Sequence, residues 1–171
     1  MFGLNFGSKD PWPLKFGTHS FDAVCFNVVR CSVIYDRHQH SLHEYEPAGA
    51  PLRPDWKDSW RASYGVGTGF PPPAQVDWIS QDGTEHHAQV DIGALFKDRL
   101  VRHNVPKEEI PEGWLAANAI EPVPIDVLME INDRTITIYT RALVATRTPQ
   151  IPGNPRSMGR RDLIEVWTHT Y

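Results

Sequence analysis

Cysteine is scarce in this chain: its 171 residues include two, Cys25 and Cys31. Both fall in a run that reads as one continuous strand. At about 3.3 Å per residue that sets their Cα atoms roughly 20 Å apart, far outside disulfide reach. No disulfide is expected, and a reducing compartment suits the chain. Long apolar runs are missing as well, since no window approaches the roughly 18 residues a spanning helix needs. Lysine and arginine never gather into a stripe that could track phosphates, and the formal net charge is −4. Nucleic acid is therefore not an expected partner. The segment Met1–Asp10 has neither a basic n-region nor an apolar h-region. That places the protein in the cytoplasm if this N-terminus is native, and in the periplasm if an export signal has been removed ahead of it.

Signatures of catalysis are also lacking. There is no Gly-x-Ser-x-Gly elbow, and neither cysteine sits where a helix N-terminus would lower its pKa. Gly65-Val66-Gly67-Thr68-Gly69-Phe70 runs straight into Pro71-Pro72-Pro73, whereas a phosphate cradle needs a helix to follow. Its glycines are expected to let a tight loop pass close to neighbouring backbone. The acidic pairs Glu108-Glu109 and Glu130 with Asp133 fall at turns, where solvated charge is their ordinary state. No cofactor is expected.

What the chain does have is proline, 15 residues against 12 glycines, and proline belongs in connections rather than in helix interiors or central strands. Between these connections lie segments of β character. Ala23 to Tyr35 is rich in β-branched and aromatic residues and apolar on both faces, as a central strand is. Gln75 to Ile92 alternates about Gln81-Asp82-Gly83-Thr84, a hairpin signal. Ile125 to Ile131 alternates, Asn132-Asp133 turns the chain, and Thr135 to Ala145 returns. Leu163 to Tyr171 reads as a last strand, after a wide loop carrying Pro149, Pro152, Gly153 and Pro155. Ala94–Asp98 and Pro106–Ile110 suit short helical turns. Residues 1–20 lack periodicity and read as an irregular arm tied down by Phe2, Phe6, Trp12 and Phe16. The expected architecture is one domain over residues 1–171, mainly β: an antiparallel sheet or β-sandwich with long irregular loops and one or two short helices.

The stretch with most chemistry is Asp36-Arg37-His38-Gln39-His40-Ser41-Leu42-His43-Glu44-Tyr45-Glu46, three imidazoles and three carboxylates in a polar loop running to Asp55. If it is extended, His38 and His40 point the same way, and with His43 and Glu44 or Glu46 they could hold a metal. A metal-dependent hydrolase is the enzymatic alternative on that ground, although Ser41-Leu42 breaks the metallo-hydrolase spacing; a partner-facing loop is the plainer reading. Asp55 can cap a short helix through Trp56 to Arg61, with Trp56 and Trp60 on one face. Those tryptophans suit either a binding hot spot or the packing of that helix on the sheet. His86 and His87, adjacent in a strand, must face opposite sides. The candidate partner-binding set is thus Asp36, His38, His40, His43, Glu44, Tyr45, Glu46, Trp56 and Trp60.

Three strings carry a resemblance: Trp60-Arg61-Ala62-Ser63-Tyr64-Gly65 with Pro71-Pro72-Pro73-Ala74-Gln75-Val76-Asp77-Trp78, then Thr137-Ile138-Tyr139-Thr140-Arg141-Ala142, and Pro152-Gly153-Asn154. Over about two-thirds of its length the chain resembles a bacterial family of small β-rich proteins encoded beside type VI secretion toxins, several of them immunity proteins, including ones that block phospholipase-type effectors. The resemblance implies a protein that binds and neutralises a cognate secreted toxin by protein–protein contact, with no catalytic residue. Many such proteins are periplasmic lipoproteins, a feature with no counterpart in the N-terminal segment here.

Overall fold

A computed structural model describes residues 11–171. Eleven strands and two short α-helices follow one another as β1 (Phe16–Phe26), β2 (Val28–Tyr35), β3 (His38–His43), β4 (Tyr64–Gly67), β5 (Ala74–Ser80), β6 (Glu85–Val90), α1 (Ile92–Leu95), α2 (Glu112–Ile120), β7 (Val123–Asn132), β8 (Thr135–Arg141), β9 (Val144–Ala145), β10 (Gly159–Arg160) and β11 (Ile164–Thr170). The strands make a five-stranded sheet ordered β11-β8-β7-β1-β4, a four-stranded sheet ordered β3-β2-β5-β6, and a small β10-β9 ribbon. Every pairing is antiparallel except β1 with β7. The expected β-rich architecture with short helices is what the chain adopts.

The inner faces share one core. Phe21, Ala23, Val127, Met129, Ile131, Ile136 and Ile138 of the larger sheet join Val33, Tyr35, Val76 and Trp78 of the smaller one. The period of two follows the sequence, with Phe21, Ala23 and Cys25 turned in.

The long central strand is a correction. Ala23 to Tyr35 breaks at Asn27, whose φ of 53° is left-handed, a conformation asparagine tolerates better than most residues. The chain thereby passes from the larger sheet (β1) to the smaller one (β2). Asn27 is held there by its side-chain amide donating to Asn132 Oδ1 and its N–H donating to the Gly49 carbonyl. The bend carries Cys25 and Cys31 to a Cα separation of 6.5 Å, and they form a disulfide. The expectation that they stand too far apart to pair fails because it assumed unbroken extension. The bridge joins the two sheets.

Both expected hairpins are present. In the first, the Ser80 carbonyl accepts from Gly83 N–H and Gly83 has φ 83°, a three-residue loop with glycine at its left-handed position. The second turns at Asp133-Arg134, one residue later than expected, with Asn132 opposite Thr135. Other expectations need correcting. Phe16–Ser20 of the supposed arm belongs to β1; Phe2 and Phe6 lie outside the described residues, while Trp12 and Phe16 do pack against the core. The helix expected after Asp55 is a 3-10 turn, Trp56–Ser59, and Asp55 makes no side-chain cap to it; its carboxylate binds Arg53 instead. Helix α2 had no periodic signal strong enough to announce it. Around Gly65, Gly67 and Gly69 no atom would lie within 4 Å of an added Cβ, so they do not mark a close backbone approach. Gly67 is required for its φ of 112°.

Candidate protein-binding rim

The stretch taken as a histidine-rich loop is largely a strand. Asp36 and Arg37 both have positive φ, 53° and 58°, the two-residue turn that matches the twist of paired strands. The chain therefore doubles back at once, and β3 pairs with β2 along the edge of the four-stranded sheet. The register skips between Ser41, opposite Val33, and Gln39, opposite Ile34. His40 is the extra residue of this bulge, and bulges re-aim side chains.

The bulge turns His40 into a cluster with His38 and Tyr64. His38 stacks on Tyr64 at 4.4 Å between ring centroids, His40 meets the same ring edge-on at 4.9 Å, and His38 and His40 are 4.9 Å apart. The Tyr64 hydroxyl donates to Asp36. His40 Nε2 donates to the Tyr35 carbonyl at 2.9 Å and its ring packs on Phe21. Beneath lies His19, fully buried: Nδ1 donates to the Gly67 carbonyl, which leaves Nε2 to accept from the Tyr35 hydroxyl at 3.0 Å. Burial pushes the pKa of His19 and of His40 below the ordinary imidazole value, so both are neutral rings in a packed layer.

His43 is not in this cluster. With Glu44 it lines a shallow cleft of about 530 Å³ on the outer face of the four-stranded sheet, beside Arg30, Asp77 and His87. Among the described residues no three His, Cys, Asp or Glu side chains converge where they could hold a metal ion. The three-histidine ligand set is thus divided between two places, and His40 has already spent Nε2 on a carbonyl. His86 and His87 face opposite sides as expected: His86 is buried and stacked on Trp78, and His87 is exposed beside Asp77.

After β3 the chain makes a projecting loop. Its root is fixed by reciprocal hydrogen bonds between Val28 and Ala48. Glu44, Tyr45 and Glu46 stand out from it, Tyr45 at 88% exposure, and beyond Pro51 the Leu52 side chain is wholly exposed. Leu42, on β3 itself, is also largely exposed. This edge thus exposes Leu42, Tyr45 and Leu52, with Glu44 and Glu46 on either side of Tyr45. Leu52 escaped the sequence reading, yet an apolar residue between Pro51 and Pro54 with no periodic partner was the available signal.

Trp56 and Trp60 belong elsewhere. They meet at 5.0 Å on the outer face of the five-stranded sheet, where Trp60 is buried and donates through Nε1 to Asp22 at 2.6 Å. Lys57 bonds Tyr139 and Glu130, and the Arg141 guanidinium donates to the Asp58 and Lys57 carbonyls. The 3-10 turn is thus clamped to the sheet, with Trp60 buried beneath it. Compared with known protein families, curated proteins and solved structures, the chain matches none. No helix among the described residues is long and apolar enough to cross a membrane.

Proposed function

We propose that this chain is an immunity-type binding protein that captures a cognate bacterial secreted toxin through the rim formed by β3 and the loop that follows it. The observation that carries the reading is the exposure of Leu42, Tyr45 and Leu52 on a segment pinned at Val28–Ala48. A pinned loop loses little conformational freedom on binding, and a rigid aromatic supplies contact area cheaply. Glu44 and Glu46 beside Tyr45 favour a basic surface on the toxin. The buried Cys25–Cys31 bridge between the sheets favours an oxidising compartment such as the periplasm over the cytoplasm. The hydrolase alternative has no geometric support once His43 is separated from His38 and His40.

The test is co-expression with the product of the neighbouring gene, followed by size-exclusion chromatography. A stable complex is expected, and Tyr45→Ala with Leu52→Ala should weaken it at least ~30-fold, since central aromatic anchors cost about 2 kcal/mol or more when truncated. A complex that forms with unchanged affinity in the double variant would remove the rim from the interface. No complex at micromolar concentrations would remove the immunity reading.

A further inference from the structure

On the outer face of the five-stranded sheet, away from the rim, Ser20 of β1 stands opposite Asp126 of β7, and Asp126 stands opposite Arg141 of β8. These three in-register residues form the floor of a cleft of about 290 Å³, walled by Trp114 of α2, Leu143 and Arg161. Charge in this cleft is unbalanced. Arg61, Arg141 and Arg161 all act electrostatically on Asp126, and Asp58 acts on Arg141. None of the three arginines is in an ion pair; the basic partners of the ion pairs among the described residues are Arg53, Lys57, His87, Arg134 and Arg160.

Each guanidinium is under-used. Arg141 is buried and gives its two terminal nitrogens to main-chain carbonyls, while its Nε has no hydrogen-bond partner among the described residues. Among the described residues Arg61 donates to the Trp60 carbonyl alone, and the exposed Arg161 has no hydrogen bond or ion pair. Two arginines free of carboxylate partners and a serine lining one cleft are a donor set that a tetrahedral oxyanion takes, because its oxygens can be met from several sides at once. We infer that the cleft formed by Ser20, Asp126, Arg141 and Arg161 binds a phosphate-type oxyanion. The inference is independent of the toxin-binding rim, which lies on the other sheet.

Asp126 sets the condition for binding. Ala62 N–H donates to its Oδ2 at 3.2 Å. Burial raises its pKa, against that hydrogen bond and the pull of Arg61, Arg161 and Arg141. An ionised Asp126 repels the ligand and a protonated one can donate to it, so the site binds better as pH falls through the carboxyl's pKa.

The test is titration of the whole protein with sulfate, whose charge is constant over the working range, and with inorganic phosphate, followed by calorimetry or NMR shifts. Arg61 and Arg161 are exposed and can be replaced without disturbing the core. Arg161→Ala is expected to weaken binding about tenfold, the worth of one charge-assisted contact, and Arg156→Ala, at another exposed arginine, to leave it unchanged. Asp126→Asn keeps an acceptor for Ala62 and should bind sulfate more tightly at neutral pH, with the pH dependence lost. Tighter binding of glycerol phosphate than of inorganic phosphate identifies an ester whose body lies along Trp114 and Leu143; equal binding identifies a bare anion. The inference is overturned if neither anion binds at tens of millimolar, if Arg156→Ala weakens binding as much as Arg161→Ala, or if Asp126→Asn leaves the pH profile of sulfate binding unaltered.

Discussion

Histidine carries much of the chemistry of this chain, and most of it is structural. His19 and His40 are packed among Phe21, Tyr35 and Phe70, and their rings are spent on carbonyls and a hydroxyl. His103 is likewise pushed down by burial. In the unfolded chain these groups titrate near 6.5, whereas in the folded state they take protons only at lower pH. The unfolded state therefore binds more protons below that value. The stability the neutral rings contribute is full above about 6.5 and is lost as pH falls toward their folded values. Thermal melts between neutral and mildly acidic pH should show the melting temperature dropping, and His40→Gln should flatten that slope. An identical slope in the variant would mean that His40 takes up its proton equally readily in the folded and the unfolded chain. The spacing of His38 and His40 put their rings on one side of a regular strand, but the bulge that brings them together and the partners His19 and Tyr64, from other strands, could not be read locally.

Among the elements, the β1–β2 bend matters most, because one left-handed residue decides which sheet each half of the run joins. The disulfide that spans it closes a short loop, six residues in sequence separation, so the chain-entropy gain is at the low end, about 2 kcal/mol. Urea unfolding with and without reductant, and of Cys25→Ser with Cys31→Ser, should show a loss of that size. No change would mean the bend is fully held by Asn27 and its partners Asn132 and Gly49. Turn chemistry offers a second check. Gly83 has φ 83° in the β5–β6 turn, so Gly83→Ala should cost about 1 kcal/mol in denaturant melts, since a Cβ is strained in that region. Open space around the site means that the cost comes from the backbone conformation and not from a clash. The hairpins were legible from alternation and turn residues. The bend was not, since apolar residues on both faces describe a strand that stays in one sheet as well as one that changes sheets.

Across the molecule, the two sheets bury one continuous core and should unfold together. Far-UV and near-UV transitions are expected to coincide, as for other small domains with a single core. Phe21, fully buried and packed on Tyr35 at 4.5 Å and His40 at 4.7 Å, links the larger sheet to the rim. Phe21→Ala should cost roughly 3–5 kcal/mol and loosen β3 beyond its direct effect on stability, visible as faster hydrogen exchange at Gln39 to Leu42. If exchange there is unchanged while stability falls, the rim does not depend on the core for its rigidity. Alternation of side chains, proline spacing and Asp-Gly chemistry act over a few residues, and they were enough to establish a mainly β protein with its two principal hairpins. The sheet switch at Asn27, and with it the pairing of Cys25 with Cys31, rests on Asn132 and Gly49, and the burial of Trp60 on Asp22, all contacts between segments tens of residues apart. Such contacts have no local signature, and only the packed fold decides them.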